Sequence, residues 1–121
     1  GPRWTATVYF VVGALALVLA SISAGVAGLV LSVLLFYACA AGIGIVLHSM
    51  AGSGGPRQIA RYVTASDLGS AVGPNLGWLV LQAGVAVHGV FLIGASFYVV
   101  AGVVAGSAIA SNILSTEKEV K

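Results

Sequence analysis

Charge is what this sequence lacks most. Only 5 Lys or Arg and 3 Asp or Glu occur among its 121 residues, whereas a soluble domain of this length carries roughly 30 charged residues. A soluble fold of this size leaves roughly a third of its unfolded-chain surface exposed, and so few charges cannot cover that surface. Hydrophobic residues make up 60% of the chain. The composition excludes an ordinary soluble globule and predicts membrane lipid as the main surrounding partner.

Residues that carry chemistry are equally scarce. Cys39 is the single cysteine, which excludes an internal disulfide framework. The net charge of +2 is too small and too scattered for a nucleic-acid surface. Asp67 is the only acidic residue outside the last few positions, and no Ser/His/Asp set, metal-ligand cluster or phosphate-binding loop is present. We therefore expect neither an enzyme nor a metal, cofactor or nucleic-acid partner.

Glycine, by contrast, is abundant. The 17 glycines occur with only 3 prolines, without the period of a collagen or the polarity of a disordered chain. Gly and Ala within apolar runs are typical of membrane helices that pack closely. The glycines therefore favour a tightly packed helical membrane protein.

The positions of the charges divide the chain into spans. Residues 4–56 and 68–116 contain no Asp, Glu, Lys or Arg, and one membrane helix needs roughly 20 apolar residues. Each stretch therefore holds two helices and a turn, whereas barrel strands would alternate polar and apolar residues. We predict an all-α integral membrane protein with four transmembrane helices over residues 4–22, 29–48, 56–87 and 90–112, followed by a polar tail, 113–121.

The basic residues also predict which side of the membrane each end occupies. They lie before the first helix, between the second and third, and in the tail, while the other two turns carry none. By the positive-inside rule, both termini and the middle loop face the cytoplasm, in the cell (cytoplasmic or inner) membrane. An alternative interpretation of the first segment is a signal peptide, but its apolar run is longer than such segments usually have.

The third helix has the most specific pattern. It follows the flexible run 51–55, AGSGG, and starts at Pro56 with two arginines four residues apart. Gly69, Gly73 and Gly77 then recur every four residues, and Gly84 extends the stripe, which lets another backbone approach. Pro74 removes a helical hydrogen bond and bends the helix. Polar or aromatic residues at positions 75, 78 and 82 occupy the opposite side, so we expect protein neighbours or a cavity there.

Residues 61–77, RYVTASDLGSAVGPNLG, closely resemble the loop and eleventh helix of major facilitator superfamily transporters. Residues 40–44, AAGIG, resemble the glycine-rich centre of that family's tenth helix. The resemblance implies that the chain is a C-terminal fragment, helices nine to twelve of a twelve-helix bundle. Trp78 stands where the family's glycine motif has its last glycine, which leaves the subfamily open.

The family implies secondary active transport of a small solute by alternating access, alone or with a coupled proton or sodium ion. The partners it implies are the missing upstream helices of the same transporter. The resemblance implies a role in helix packing and gating for Gly69, Gly73, Pro74 and Gly77. It also implies a cytoplasmic gate or brace formed by Arg57, Arg61 and Asp67. Candidate cavity-lining residues are Tyr37, Gly44, His48, Asn75, Trp78 and Gln82.

Two other classes of protein remain open on the sequence alone. One is a complete small four-helix membrane protein, similar to a small multidrug transporter or a channel. The other is a structural or assembly subunit that transports nothing and whose glycines serve only to pack helices.

Overall fold

The computed structural model describes residues 1–119, apart from the side chains of residues 2, 3, 109, 110, 112–114, 116 and 119. The described chain is all-helical, as expected, and has four helices in the order α1 (Pro2–Ile22), α2 (Val26–Ser53), α3 (Pro56–Gln82) and α4 (Val87–Glu119). The connections between them are short, so successive helices are joined by tight turns at residues 23–25, 54–55 and 83–86.

Three of these helices are long and apolar enough to cross a membrane. Among the described residues, the segments with this length and composition are Trp4–Ile22, Val26–Ser53 and Val87–Ala108. α3, with 27 residues, is about 40 Å long and exceeds a hydrocarbon core of about 30 Å. It falls short in composition, because its arginines, Asp67, Asn75 and its glycines dilute the apolar residues. Three helices therefore have the length and composition of a membrane span, one fewer than the four expected.

Several helix ends differ from the sequence expectation. α2 extends to Ser53, five residues past the expected end, and α4 begins at Val87, which places His88 in its first turn. α4 also continues to Glu119, so residues 113–119, expected as a polar tail, are helical. Lys118 in the last turn of α4 suits the negative end of the helix dipole.

The end of α3 gives Gly84 a different role from the one expected. α3 stops at Gln82, and Gly84 adopts φ +87°, a left-handed conformation that side chains disfavour. The N–H of Val85 donates to the carbonyl of Val80, and the N–H of Gly84 donates to that of Leu81. This is the Schellman pattern of a helix terminus, so Gly84 ends α3 instead of extending its glycine stripe.

α1 lies at the centre and packs in antiparallel fashion on both α2 and α4. On the α4 side, Gly13 faces the ring of Tyr98 and Gly102 faces Phe10, while the Phe10 and Tyr98 rings lie 5.3 Å apart. On the α2 side, a Cβ added to Gly42 would approach the ring of Tyr9 to 2.7 Å. Glycines therefore form the recesses that receive large side chains across both interfaces.

These pairings determine which helix ends lie together. Residues near the start of α1 meet the later part of α4, and Leu17 meets Gly94 toward the other end. The start of α3 lies against the end of α2, and the turn at residues 83–86 returns the chain to the start of α4. The N-terminus, the turn at residues 54–55 and the end of α4 thus share one end of the bundle. The turns at residues 23–25 and 83–86, which carry no charged residue, occupy the opposite end.

Candidate functional site

The start of α3 meets the end of α2 in a small polar cluster. The hydroxyl of Tyr62 lies 3.4 Å from the carbonyl oxygen of Gly44, to which it donates a long hydrogen bond. The ring of His48 stands edge-on to the ring of Tyr62, with centroids 5.8 Å apart. Gly44, His48 and Tyr62 line one open groove of ≈ 520 Å³. Two of the expected cavity-lining residues, Gly44 and His48, therefore lie together.

Tyr62 belongs to this cluster but was not among the site residues expected from the sequence. The signal that points to it is the short connection at residues 54–55, since a tight turn makes α2 and α3 an antiparallel pair. Positions equally far from such a turn face each other, and Tyr62 and His48 are nearly symmetric about it. Tyr37, expected on the same face as Gly44 and His48, is 65% exposed and contacts the ring of its neighbour Phe36 instead.

The two arginines of α3 lie beside a second cleft. Arg57 and Arg61 are exposed and line a space of ≈ 610 Å³ together with the last turns of α2 and with Ala105 and Ala108 of α4. A spacing of four residues places their Cβ atoms about 6 Å apart on one face of the helix. The structure therefore brings these two expected residues together.

Asp67, the third residue expected in the gate or brace, lies elsewhere. α3 is continuous from Pro56 to Gln82, so Asp67 is about 15 Å along the axis from Arg57 and about 9 Å from Arg61. Six positions also turn the helix by about 120° from Arg61. Within the described side chains Asp67 has no ion pair with either arginine, and α3 contains no other basic residue.

The glycine stripe of α3 faces open space. A Cβ added to Gly69, Gly73 or Gly77 would meet nothing within 4 Å, and every residue from 63 to 76 is exposed. The expected close neighbour on this face is absent from the four helices described. α3 continues as a helix through Pro74 without interruption.

The opposite face of α3 is equally open. Asn75, Trp78 and Gln82 are all exposed, Trp78 by 62%. The side-chain amide of Asn75 donates a 2.7 Å hydrogen bond to the carbonyl of Ala71, one turn back on the same helix. The described helices therefore do not enclose a cavity against these three side chains.

Among the described residues, no group of three or more His, Cys, Asp or Glu is placed to hold a metal ion. Comparison of the chain with protein-family models, with curated proteins and with solved structures finds no match.

Proposed function

We propose that the chain forms the last four helices of a major facilitator-type permease, which carries a small solute across the cell membrane by alternating access. Its three apolar helices suit a multi-pass membrane protein. Within the described part of the chain, Arg57, Arg61 and Lys118 lie at one end of the antiparallel bundle, away from two uncharged turns. The positive-inside rule assigns that end, with both termini, to the cytoplasm.

The observation that carries the proposal is the exposure of α3. This helix runs the length of the bundle, yet residues 63–76 are all exposed and include Asp67 and Asn75. Polar side chains facing lipid are costly, and membrane helices usually turn them toward protein or water. Further helices on both faces of α3 would remove this cost. The helices that precede this segment in a twelve-helix transporter would supply them.

In this arrangement Gly69, Gly73 and Gly77 receive the backbone of a neighbouring helix, and Pro74 allows the helix to bend as that neighbour moves. Asn75, Trp78 and Gln82 face the opposite side, toward the solute pathway. Gly44 and His48 approach the same pathway from α2. Asp67 pairs with a basic group of a preceding helix, while Arg57 and Arg61 stay at the cytoplasmic surface.

The first test is the reading frame upstream of Gly1. An open frame that encodes eight more apolar spans supports the proposal, whereas a start codon immediately before Gly1 contradicts it.

The second test uses cells that express the complete frame. Uptake is measured for a panel of labelled sugars, amino acids, organic anions and organic cations, with empty-vector cells as the baseline.

A matched pair of variants then tests the role of α3. Gly73→Leu fills the open glycine face of α3, and Gly106→Leu adds the same side chain to α4, where a Cβ also meets nothing within 4 Å. We expect Gly73→Leu to abolish uptake of any solute found in the panel, because the neighbouring backbone can no longer approach. Gly106→Leu keeps most of the uptake. Equal uptake by both variants would contradict a close-packed gating role for α3.

A further inference from the structure

The cleft beside Arg57 and Arg61 has two chemically different halves. Its α3 wall is polar and carries Arg57, Gln58 and Arg61. Its other walls are apolar and come from Leu47 and Met50 near the end of α2 and from Ala105 on α4. The cleft is therefore amphipathic, with cationic donors along one side and hydrocarbon along the other.

The turn before α3 aims the start of that helix at this cleft. Gly55 has φ +85°, a left-handed conformation that glycine adopts easily, and Pro56 follows at the first position of the helix. The chain reverses direction at this turn. Within α3, Arg57 then lies one helical turn before Arg61 on the same face. Each guanidinium presents a planar set of donors that suits the oxygens of a phosphate. The positive end of the α3 dipole lies at the same place and favours an anion as well.

The cleft also lies at the depth of lipid headgroups. α2, with 28 residues, is about 42 Å long, which exceeds a hydrocarbon core of about 30 Å. Its polar residues His48, Ser49 and Ser53 lie in its last turns, so this is the end that leaves the core. The same end of α2 lies beside the cleft. A basic pocket between membrane helices on the cytoplasmic side is a place where anionic lipid headgroups bind.

We infer that this cleft binds one anionic phospholipid, whose phosphate contacts Arg57 and Arg61 and whose acyl chain lies along Leu47, Met50 and Ala105. The apolar walls favour a lipid over free phosphate, because inorganic phosphate would leave that hydrocarbon surface unused. This inference does not depend on the proposed transport activity. A membrane protein of any function with these residues would carry the same site.

The test measures lipid binding to the purified protein in a neutral detergent by native mass spectrometry. The probes are dioctanoyl phosphatidylglycerol, dioctanoyl phosphatidylcholine and inorganic phosphate, at equal concentrations. We expect phosphatidylglycerol to bind, phosphatidylcholine to bind at least tenfold more weakly, and millimolar phosphate to leave bound phosphatidylglycerol in place. Displacement of the lipid by phosphate, or equal binding of the two lipids, would overturn the inference.

Variants locate the site. Arg61→Gln and Lys118→Gln each remove one positive charge from the same end of the bundle, but only Arg61 lines the cleft. Since one basic residue near an anionic surface changes binding by about fivefold, Arg61→Gln should weaken phosphatidylglycerol binding about fivefold and Arg57→Gln/Arg61→Gln about 25-fold. Lys118→Gln should leave it within twofold.

A charge-conserving variant separates binding from folding. Arg57→Lys/Arg61→Lys keeps both charges but loses the planar fork, so its binding should fall between wild type and the double glutamine variant. Helical content by circular dichroism is measured for every variant, and binding is compared among those that match wild type. Equal binding by Arg61→Gln and Lys118→Gln, with matched helical content, would reject this cleft as the site.

Discussion

α1 and α3 have opposite surroundings within the four helices. Among the described side chains, α1 supplies six of the ten buried apolar ones, namely Ala6, Phe10, Ala14, Ala16, Leu17 and Ala20. α3 supplies none, although it is the longer of the two helices. α1 contains one glycine and α3 contains three. Gly13 of α1 receives the ring of Tyr98, whereas Gly69, Gly73 and Gly77 of α3 receive nothing.

The structural effect of a glycine on the face of a membrane helix therefore depends on the atoms that lie opposite it. At Gly13 the absent side chain makes room for an aromatic ring, and substitution there must displace that ring. At Gly73 the absent side chain makes room that the four helices leave empty. The glycine of α1 is thus filled by a side chain of this chain. The glycines of α3 have no such neighbour among the four helices, and the further helices proposed above would lie against them.

The largest effect is expected in a labelling experiment that asks whether α3 crosses the bilayer as α1 does. Cys39 is buried and is the only cysteine, so Cys39→Ala provides a clean background. Single cysteines are placed at Ala24, Ser53 and Ala83, one in or beside each turn, and intact cells are treated with a membrane-impermeant maleimide. If α3 crosses, the cysteines at positions 24 and 83 label and the one at position 53 does not.

The same experiment has a clear opposite outcome. If α3 stays on one side, the cysteine at position 83 behaves like the one at position 53, and the three apolar helices are then the only described spans. Labelling after cell lysis controls for expression, because all three positions should then react.

The second prediction compares filling a glycine on each helix. Gly13→Leu forces the Tyr98 ring away from α1, and overpacking of this kind costs about 1–3 kcal/mol. Gly73→Leu meets no atom of the described helices, so the stability of the isolated chain should change by less than about 0.5 kcal/mol. Unfolding in mixed micelles with increasing sodium dodecyl sulfate, followed by circular dichroism, measures both. A loss at Gly73→Leu as large as at Gly13→Leu would mean that α3 is packed within this chain.

The third prediction compares large side chains on the two helices. Phe10 is buried between Gly102 and the Tyr98 ring, while Trp78 is 62% exposed. Because lipid is as apolar as the helix interface, Phe10→Ala loses packing contacts and an aromatic pair but no free energy of transfer from water. It should lower the free energy of unfolding by about 1–2 kcal/mol. Trp78→Ala should cost less than about 0.5 kcal/mol in the same assay. Equal costs would contradict the difference in burial.

The smallest effect is expected where α3 does touch its neighbour. Tyr62→Phe removes the 3.4 Å hydrogen bond to the carbonyl of Gly44 but keeps the ring beside His48. Because the bond is long, its loss should cost about 0.5 kcal/mol. Tyr62→Ala removes the ring as well and should cost more. Hydrogen exchange of the first turns of α3 would register both changes, and equal effects of Tyr62→Phe and Tyr62→Ala would show that the hydroxyl, not the ring, holds α3 to α2.

The existence of the helices could be predicted from the sequence, because charge and apolar length act locally. The long charge-free stretches around Arg57 predict the helical class and the grouping of basic residues at one end. The positions of helix ends were less predictable. Gly84 could serve either a packing stripe or a helix terminus, and only its left-handed φ decides between them.

The contacts of the candidate site depend on tertiary packing, which spacing alone does not supply. Gly44 and His48 share a helix face and do lie together, but the partner that joins them, Tyr62, comes from the next helix. Asp67 follows the arginines closely in sequence, yet the rise and turn of one continuous helix separate it from them. Helical spacing predicts which residues share a face, but not what that face meets.

The length of α4 has a mechanical consequence. With 33 residues it is about 50 Å long, so about 20 Å of the helix extends beyond a hydrocarbon core of about 30 Å. Such a rod acts as a lever, because any tilt of α4 inside the bilayer is carried outward and becomes a larger displacement at its far end. A fluorophore attached near Glu117 would therefore report movements of α4 that are too small to detect within the membrane.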